Sequence, residues 1–332
     1  MTSKNVLNAS SAPTGDYRNK IINGDFDYAQ RASLGGAYTG TISAYQFDRW
    51  MGNSNTLTGS FISYSVPFTV GQTDVPGNPI AYARIVGASA VVGTNGSTSI
   101  QQRVENVRTF AGKTATVVFY AKSNVLRQMG VASAQAFGSG GSPSASVAIP
   151  GTVVNLTTSW QKFTFTVDFP SLAGKTIGTG FDHYIALAFV FSTKGTQTTA
   201  WGLPANIADL SNDIIDIAHV SLVEGDATLE VDPFTPRHAQ QELALCQRYG
   251  QPIPDTAFGG YQVAANYNTF SVSLPVPMRT GPTLTAPTFT YTNASTGVAT
   301  PLNNNAVQLR ATTTITGQYQ FNTAGGFLSA EL

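Results

Sequence analysis

Three histidines, four closely spaced carboxylate pairs and a few loop aromatics are the groups in this 332-residue sequence with chemistry to offer. His183, His219 and His238 stand apart, in no metal spacing of the His-Glu-x-x-His kind. His219 alternates with apolar neighbours and reads as a strand residue. The carboxylates pair as Asp25/Asp27, Asp213/Asp216, Glu224/Asp226 and Glu230/Asp232. A glycosidase holds two carboxyls about 5–9.5 Å apart around the scissile bond. Two residues apart on a strand, both carboxylates face one side, which also suits a structural calcium ion. At strand ends the same spacing is simply solvated charge. No Gly-x-Ser-x-Gly elbow occurs, and Gly112-Lys113-Thr114 leads into a strand, not the helix of a phosphate-binding loop. The single cysteine, Cys246, excludes an intrachain disulfide and a cysteine-based zinc site. The expectation is a chain without catalytic residues, cofactor or resident metal, calcium being the one metal the pairs suit.

Aromatic rings stack on sugar faces while neighbouring amides bond hydroxyls. Trp201, in TKGTQTTAWGLPAN, is one candidate glycan contact; plugging an end of a sandwich is its other reading. Tyr261, Tyr267 and Tyr291, near Asn266, Asn268 and Asn293, are the others.

Strands must position these groups. In KFTFTVDF (162–169), Phe163, Phe165, Val167 and Phe169 share one face and polar residues the other, a sheet buried on one side. TATVVFYA (114–121) places Ala115, Val117, Phe119 and Ala121 together. YIALAFVF (184–191) is apolar on both faces, as a covered central strand is, and IIDIAHVSLV (214–223) is a further strand. Gly, Pro, Ser and Asn clusters such as GSGGSPSAS (138–146) separate them as loops. The pattern predicts an all-β chain: a jelly-roll β-sandwich over 21–235, one short helix, and a smaller β-sandwich-like domain over 251–332. The helix spans 236–250, with Thr235 as cap, Pro236 at its first position and Gly250 at its end. Residues 1–20, polar and without periodicity, read as an extended arm for attachment or as a disordered terminus. FSVSLPV (270–276) alternates, and Pro275 marks it as an edge strand.

Only 11% of residues are charged, against about 25% in typical soluble chains, and the net charge is zero. No basic run supports nucleic-acid binding, and no apolar stretch of about 18 residues predicts a membrane span. The opening MTSKNVLNASSAPTGDYRNK lacks the apolar core of a secretion signal. An extracellular type of composition without an export signal fits a protein released by lysis. Residues 251–332 hold four charges, Asp255, Arg279, Arg310 and Glu331. So little charge invites aggregation unless the surface is buried against identical neighbours, so a homo-oligomer, preferably a trimer, is expected.

Residues 21–50 read IINGDFDYAQRASLGGAYTGTISAYQFDRW, with Asn23, Gly24, Asp25, Phe26, Gln30, Arg31, Asp48, Arg49 and Trp50 as their framework. There follow Gly112, Lys113 and Thr114 with Phe119, Tyr120, Ala121 and Lys122, then LTTSWQKFTFTV (156–167), GKTIGTG (174–180) and ELALCQRY (242–249). In this order and spacing the set, over about residues 20–250, resembles a recurrent domain of phage tail fibre and virion appendage proteins. The resemblance implies a jelly roll similar to carbohydrate-binding modules and a place on a virion, as tail fibre, head or collar fibre, or decoration protein. Implied partners are other virion proteins and host cell-surface polysaccharide. A dedicated glycan-binding adhesin and a glycan depolymerase are the alternatives. Asp48, Arg49 and Trp50 read as a structural motif, a carboxylate–guanidinium pair beside a large ring that locks a loop to the sandwich. Phe26 and Trp50 read as core anchors.

Overall fold

Alternation in the sequence becomes layered sheet. The computed structural model describes residues 18–31 and 37–332, so most of the arm expected at 1–20 lies outside the described residues. Nine strands make the first unit: β1 (Tyr38–Phe47), β2 (Trp50–Pro67), β3 (Ala81–Glu105), β4 (Thr114–Ser123), β5 (Arg127–Ala136), β6 (Val147–Leu156), β7 (Gln161–Asp168), β8 (Tyr184–Thr193) and β9 (Ile214–Glu224). All their pairings are antiparallel.

The two long strands make the sandwich. Along its length β3 pairs with β2, but its second half takes β8 and its first half takes β9. One layer therefore runs β6-β5-β8-β3-β2-β1 and the other β7-β4-β9-β3-β2. The strands turn the corner at register shifts around Thr56 and Gly59. Gly59 has φ +72°, and a Cβ there would lie 2.1 Å from the Ser89 carbonyl, so only glycine fits this bend. Rings from opposite layers meet in the core: Phe119 of β4 and Phe189 of β8 are edge-to-face at 4.9 Å, and Phe61 of β2 meets Phe191 of β8 at 6.1 Å. Ala115, Val117, Phe119 and Ala121 are fully buried, and β8 is buried from Ile185 to Thr193.

Among the described residues two helices accompany the strands, the short α1 (Thr196–Ala200) and α2 (Ala239–Gln247). α2 is shorter than expected. His238, not Thr235, caps it, its ring accepting from the Gln240 N–H. Thr235 and Pro236 stay outside the helix. Arg237 is drawn to the N-terminal segment, donating to the Ile21 and Asn19 carbonyls and to Glu242, and this holds the preceding chain extended. Arg248 closes the helix, and Gly250 enters a strand.

That strand is β10 (Gly250–Pro252). It opens the second unit with β11 (Thr256–Gln262), β12 (Tyr267–Ser273), β13 (Thr283–Thr285), β14 (Thr288–Thr292), β15 (Ala294–Pro301), β16 (Ala306–Thr313), β17 (Gly317–Ala324) and β18 (Phe327–Ser329). They form three three-stranded sheets, β10-β18-β13, β11-β17-β14 and β12-β16-β15. The latter two face each other: Phe258 stacks on Phe270 at 4.3 Å, and Phe270 lies 5.7 Å from Phe321. β12 is an edge strand that ends two residues before Pro275. The chain is all-β, a sandwich followed by a smaller sandwich-like unit.

Candidate functional site

The Asp48-Arg49-Trp50 motif forms the tight turn between β1 and β2, where Phe47 pairs with Trp50 and Arg49 takes φ +72°. The carboxylate–guanidinium pair expected from the sequence does not form, because the hairpin sends the Asp48 and Arg49 side chains to different partners. Asp48 accepts from the Gln30 backbone (3.2 Å) and side chain (2.7 Å). Arg49 is fully buried; it pairs with Glu331, bonds the Arg103 carbonyl and lies 3.5 Å from the Tyr249 ring centre. Arg31 adds a second bond to Glu331 at 2.8 Å. Trp50 donates its indole N–H to the Asn23 carbonyl at 2.9 Å and packs 5.0 Å from Phe26 and 5.9 Å from Phe189. The motif joins the two units; it holds no ligand-facing group.

Asp25 and Asp27 line one cleft with Glu242, where burial, reinforced by the Asp25 and Glu242 carboxylates, pushes Asp27 up to about 7; the members of the other three pairs take different partners. Asp213 bonds Arg127 and Asp216 bonds Arg84; Glu224 pairs with Lys113, and Asp226 accepts from Thr228; Glu230 pairs with Arg18, and Asp232 bonds His219. His183 accepts from the Val107 N–H. Among the described residues no group of three or more His, Cys, Asp and Glu could hold a metal ion.

His219 is the exception to simple alternation. β9 bulges there: Tyr120 pairs with Ala218 and Val118 with Ser221, and His219 takes φ +55°. The ring emerges on the outer face of the sandwich and stacks on Phe234 at 3.9 Å. Its Nδ1 lies 2.9 Å from Asp25 and its Nε2 3.0 Å from Asp232. A ring that donates from both nitrogens is an imidazolium. Burial pulls its pKa down, but the two carboxylates outweigh this and raise it to about 9. Burial likewise pulls Asp232 up, and the His219 bond more than offsets it, so Asp232 is lowered. For Asp25 burial prevails over the histidine, and its pKa is raised. The trio thereby straps the 18–31 segment and the connector after β9 onto the sheet.

The candidate glycan contacts do not converge. Trp201 ends α1 and packs on Ala132, Ala188, Val190, Leu203 and Ile207, covering the outside of β5 and β8. Tyr261 (72% exposed) lies on β11, Tyr291 on β14 and Tyr267 (62% exposed) on β12 of the facing sheet. Tyr267 is stacked beneath Arg310 at 5.0 Å, and the Tyr291 hydroxyl accepts from the Gly297 N–H. Tyr261 borders a groove of about 430 Å³, beside Gly259, Gly260, Gln318 and Gln320.

A denser arrangement lies elsewhere, on the outer face of the layer β2-β3-β9-β4-β7. Register aligns Tyr64 with Arg84, Arg84 with Asp216, and Asp216 with Lys122. Extending the β4–β7 register by one step sets Trp160 opposite Lys122, whose amine lies 5.0 Å from the indole. One row of the sheet thus reads Tyr64–Arg84–Asp216–Lys122–Trp160. Asp216 is nearly buried and holds Arg84 through two bonds of 2.8 Å; Arg84 and Lys122 each keep 29% of their side chains exposed. The hydrogen bonds to Asp216 raise the pKa of Arg84, so its charge is fixed. Phe68, Tyr82 and Trp160 pack at 4.8–5.5 Å from one another and wall the row on one side. These rings and cations can stack on a sugar and bond its hydroxyls or acidic groups. Sequence reasoning missed the row because its members are far apart in the chain. The signal present was their placement at outward positions of alternating strands, with Lys122 and Trp160 inside the segments FYAK and SWQK.

No protein-family model matches the sequence, and no curated protein matches it. Among solved structures, the chain is similar to a CBM4 structure (17% identity, 62% of this chain and 99% of the other, TM-score 0.31). It is also similar to the enzymatically active domain of bacteriophage CBA120 tailspike protein 4 (12% identity, 63% of this chain but only 22% of the other, TM-score 0.35). A third is a family 11 carbohydrate-binding module from Clostridium thermocellum in complex with a β-1,3-1,4-mixed-linked tetrasaccharide (10% identity, 56% of this chain and 96% of the other, TM-score 0.33). All three are distant likenesses.

Proposed function

We propose that this chain is a non-catalytic structural subunit of a bacteriophage particle, a homotrimeric fibre, spike or head- or tail-attached appendage whose sandwich face contacts host-surface saccharides. The observation that carries the saccharide contact is the row Tyr64–Arg84–Asp216–Lys122–Trp160, two aromatic ends enclosing fixed charges on one sheet face. The place on a particle rests on the motif set over residues 20–250. The trimer rests on the charge-poor second unit, which exposes Tyr261, Val263, Tyr267 and Ile315. The non-catalytic reading is supported by the Asp25–His219–Asp232 trio, in which both ring nitrogens are held by carboxylates. Many copies on a particle turn weak single contacts into useful avidity.

The test is retention of host-surface polysaccharide by the full-length protein on an affinity column. Trp160→Ala and Tyr64→Ala are expected to abolish retention without changing the fold, and incubation is expected to release no new reducing ends. Full retention by both variants contradicts the site; release of reducing ends contradicts the non-catalytic reading and favours the depolymerase. Light scattering on the full chain is expected to give the mass of three copies; a monomer contradicts the trimer.

A further inference from the structure

We infer that the sandwich face selects carboxylated saccharides, such as uronic- or sialic-acid polymers, over neutral ones; this rests on reading that face as a saccharide site. Three cations stand on adjoining positions of the face, Arg84 on β3, Lys122 on β4 and Lys162 on β7, where Lys162 pairs with Tyr120 two residues before Lys122. One carboxylate, Asp216, stands among them. Asp216 gives both oxygens to Arg84 at 2.8 Å and lies 3.9 Å from Lys122, beyond hydrogen-bond range. Lys162 donates to the Glu230 and Val231 carbonyls, which are uncharged. The next acids along, Asp232 and Asp25, share the His219 ring, and Lys162 also acts on Asp232 and Glu230. Around Asp216 the row therefore sets two cations, Arg84 and Lys122, against one carboxylate.

The placement of that charge makes it selective. Lys122 sits over the indole of Trp160 at 5.0 Å, and Arg84 adjoins Tyr64 in the same row. A carboxylate on a sugar reaching either aromatic end meets an ammonium or a guanidinium. A neutral sugar at the same place gains the stacking but not the charge-assisted bond, and it leaves the cations partly desolvated without a counter-charge. Arg84 uses Nε and one terminal nitrogen on Asp216, while its other terminal nitrogen has no partner among the described residues. That nitrogen is the donor the structure leaves for a second anion.

The experiment is an array of bacterial polysaccharides in which each acidic member is paired with its carboxyl-reduced form, probed with the full-length protein. The expected result is retention of acidic members, at least tenfold weaker binding after carboxyl reduction, and a further decline as salt rises from about 50 to 500 mM. Lys122→Gln is expected to weaken binding to the acidic members about tenfold with an unchanged melting temperature. Equal retention of acidic and reduced forms, or retention of neutral members alone with dependence on Trp160, overturns the selectivity and leaves the saccharide face standing. Retention of nothing on the array overturns both.

Discussion

The two units of the chain solve the same problem, burying apolar strands, with different resources. The sandwich has a continuous core in which Trp50, Phe119, Phe189 and Phe191 interlock across layers. Its polar residues are organised as well: Arg84–Asp216, Arg127–Asp213 and His219 between two aspartates are each anchored at hydrogen-bond distance. The second unit closes around Phe258, Phe270 and Phe321, and β11, β12, β14 and β15 remain as sheet edges. Of its four charges, Glu331 is consumed by Arg31 and Arg49 of the sandwich, and Arg279 bonds the Ala330 carbonyl. The contrast is between a unit whose core and ion pairs are its own and a unit with a smaller core of its own whose Glu331 is bonded to the first.

Core truncations should break that contrast most strongly. Phe189→Ala is expected to cost about 3–5 kcal/mol and to lower the unfolding midpoint of the whole chain. Phe321→Ala is expected to raise hydrogen exchange in 251–332 while β8 and β9 stay protected; equal loss of protection in both units would show that they unfold as one.

The joint comes next. Glu331→Gln leaves the buried Arg49 guanidinium without a counter-charge, at an expected cost of about 3 kcal/mol. Urea unfolding should then show the second unit detaching at lower denaturant. A midpoint unchanged within error would mean that the Tyr249 ring and the Arg103 carbonyl suffice to hold Arg49.

The His219 strap sharpens the comparison through pH, since the second unit has no histidine. Its pKa in the folded chain, about 9, lies above the ordinary value of 6.5. A raised folded pKa contributes stability that is complete below about pH 6.5 and is lost as pH climbs through about 9. The sandwich should therefore lose up to about 3 kcal/mol between these limits, and His219→Gln should abolish the slope. An alkaline limb identical in the variant would assign the titration elsewhere. The smallest effect is expected at Lys113–Glu224, half exposed on both sides, where Lys113→Met should change stability by less than about 0.5 kcal/mol in thermal unfolding.

Much of the fold was legible in the sequence, and the reasons are local. Phe163, Phe165, Val167 and Phe169 alternate, and YIALAFVF is apolar on both faces, so the strands and their buried sides follow from period two. The helix boundary was not legible, because Arg237 is captured by carbonyls of residues 19 and 21, more than two hundred positions earlier. His219 followed the alternation in sequence and departs from it in space, since a bulge shifts one residue without any glycine to announce it. The candidate site was least legible. Trp201 and the three tyrosines stood out by composition, yet they are scattered. The row from Tyr64 to Trp160 exists only once five strands are set in register, and no short-range pattern encodes that register.

The most direct test is a crystal structure of the full chain soaked with oligosaccharide from the host-surface polysaccharide. Density for a sugar across the row, touching Trp160 and within hydrogen-bond distance of Arg84 or Lys122, is the predicted result. Density confined to the groove at Tyr261 in the second unit, with the sandwich face bare, would contradict it.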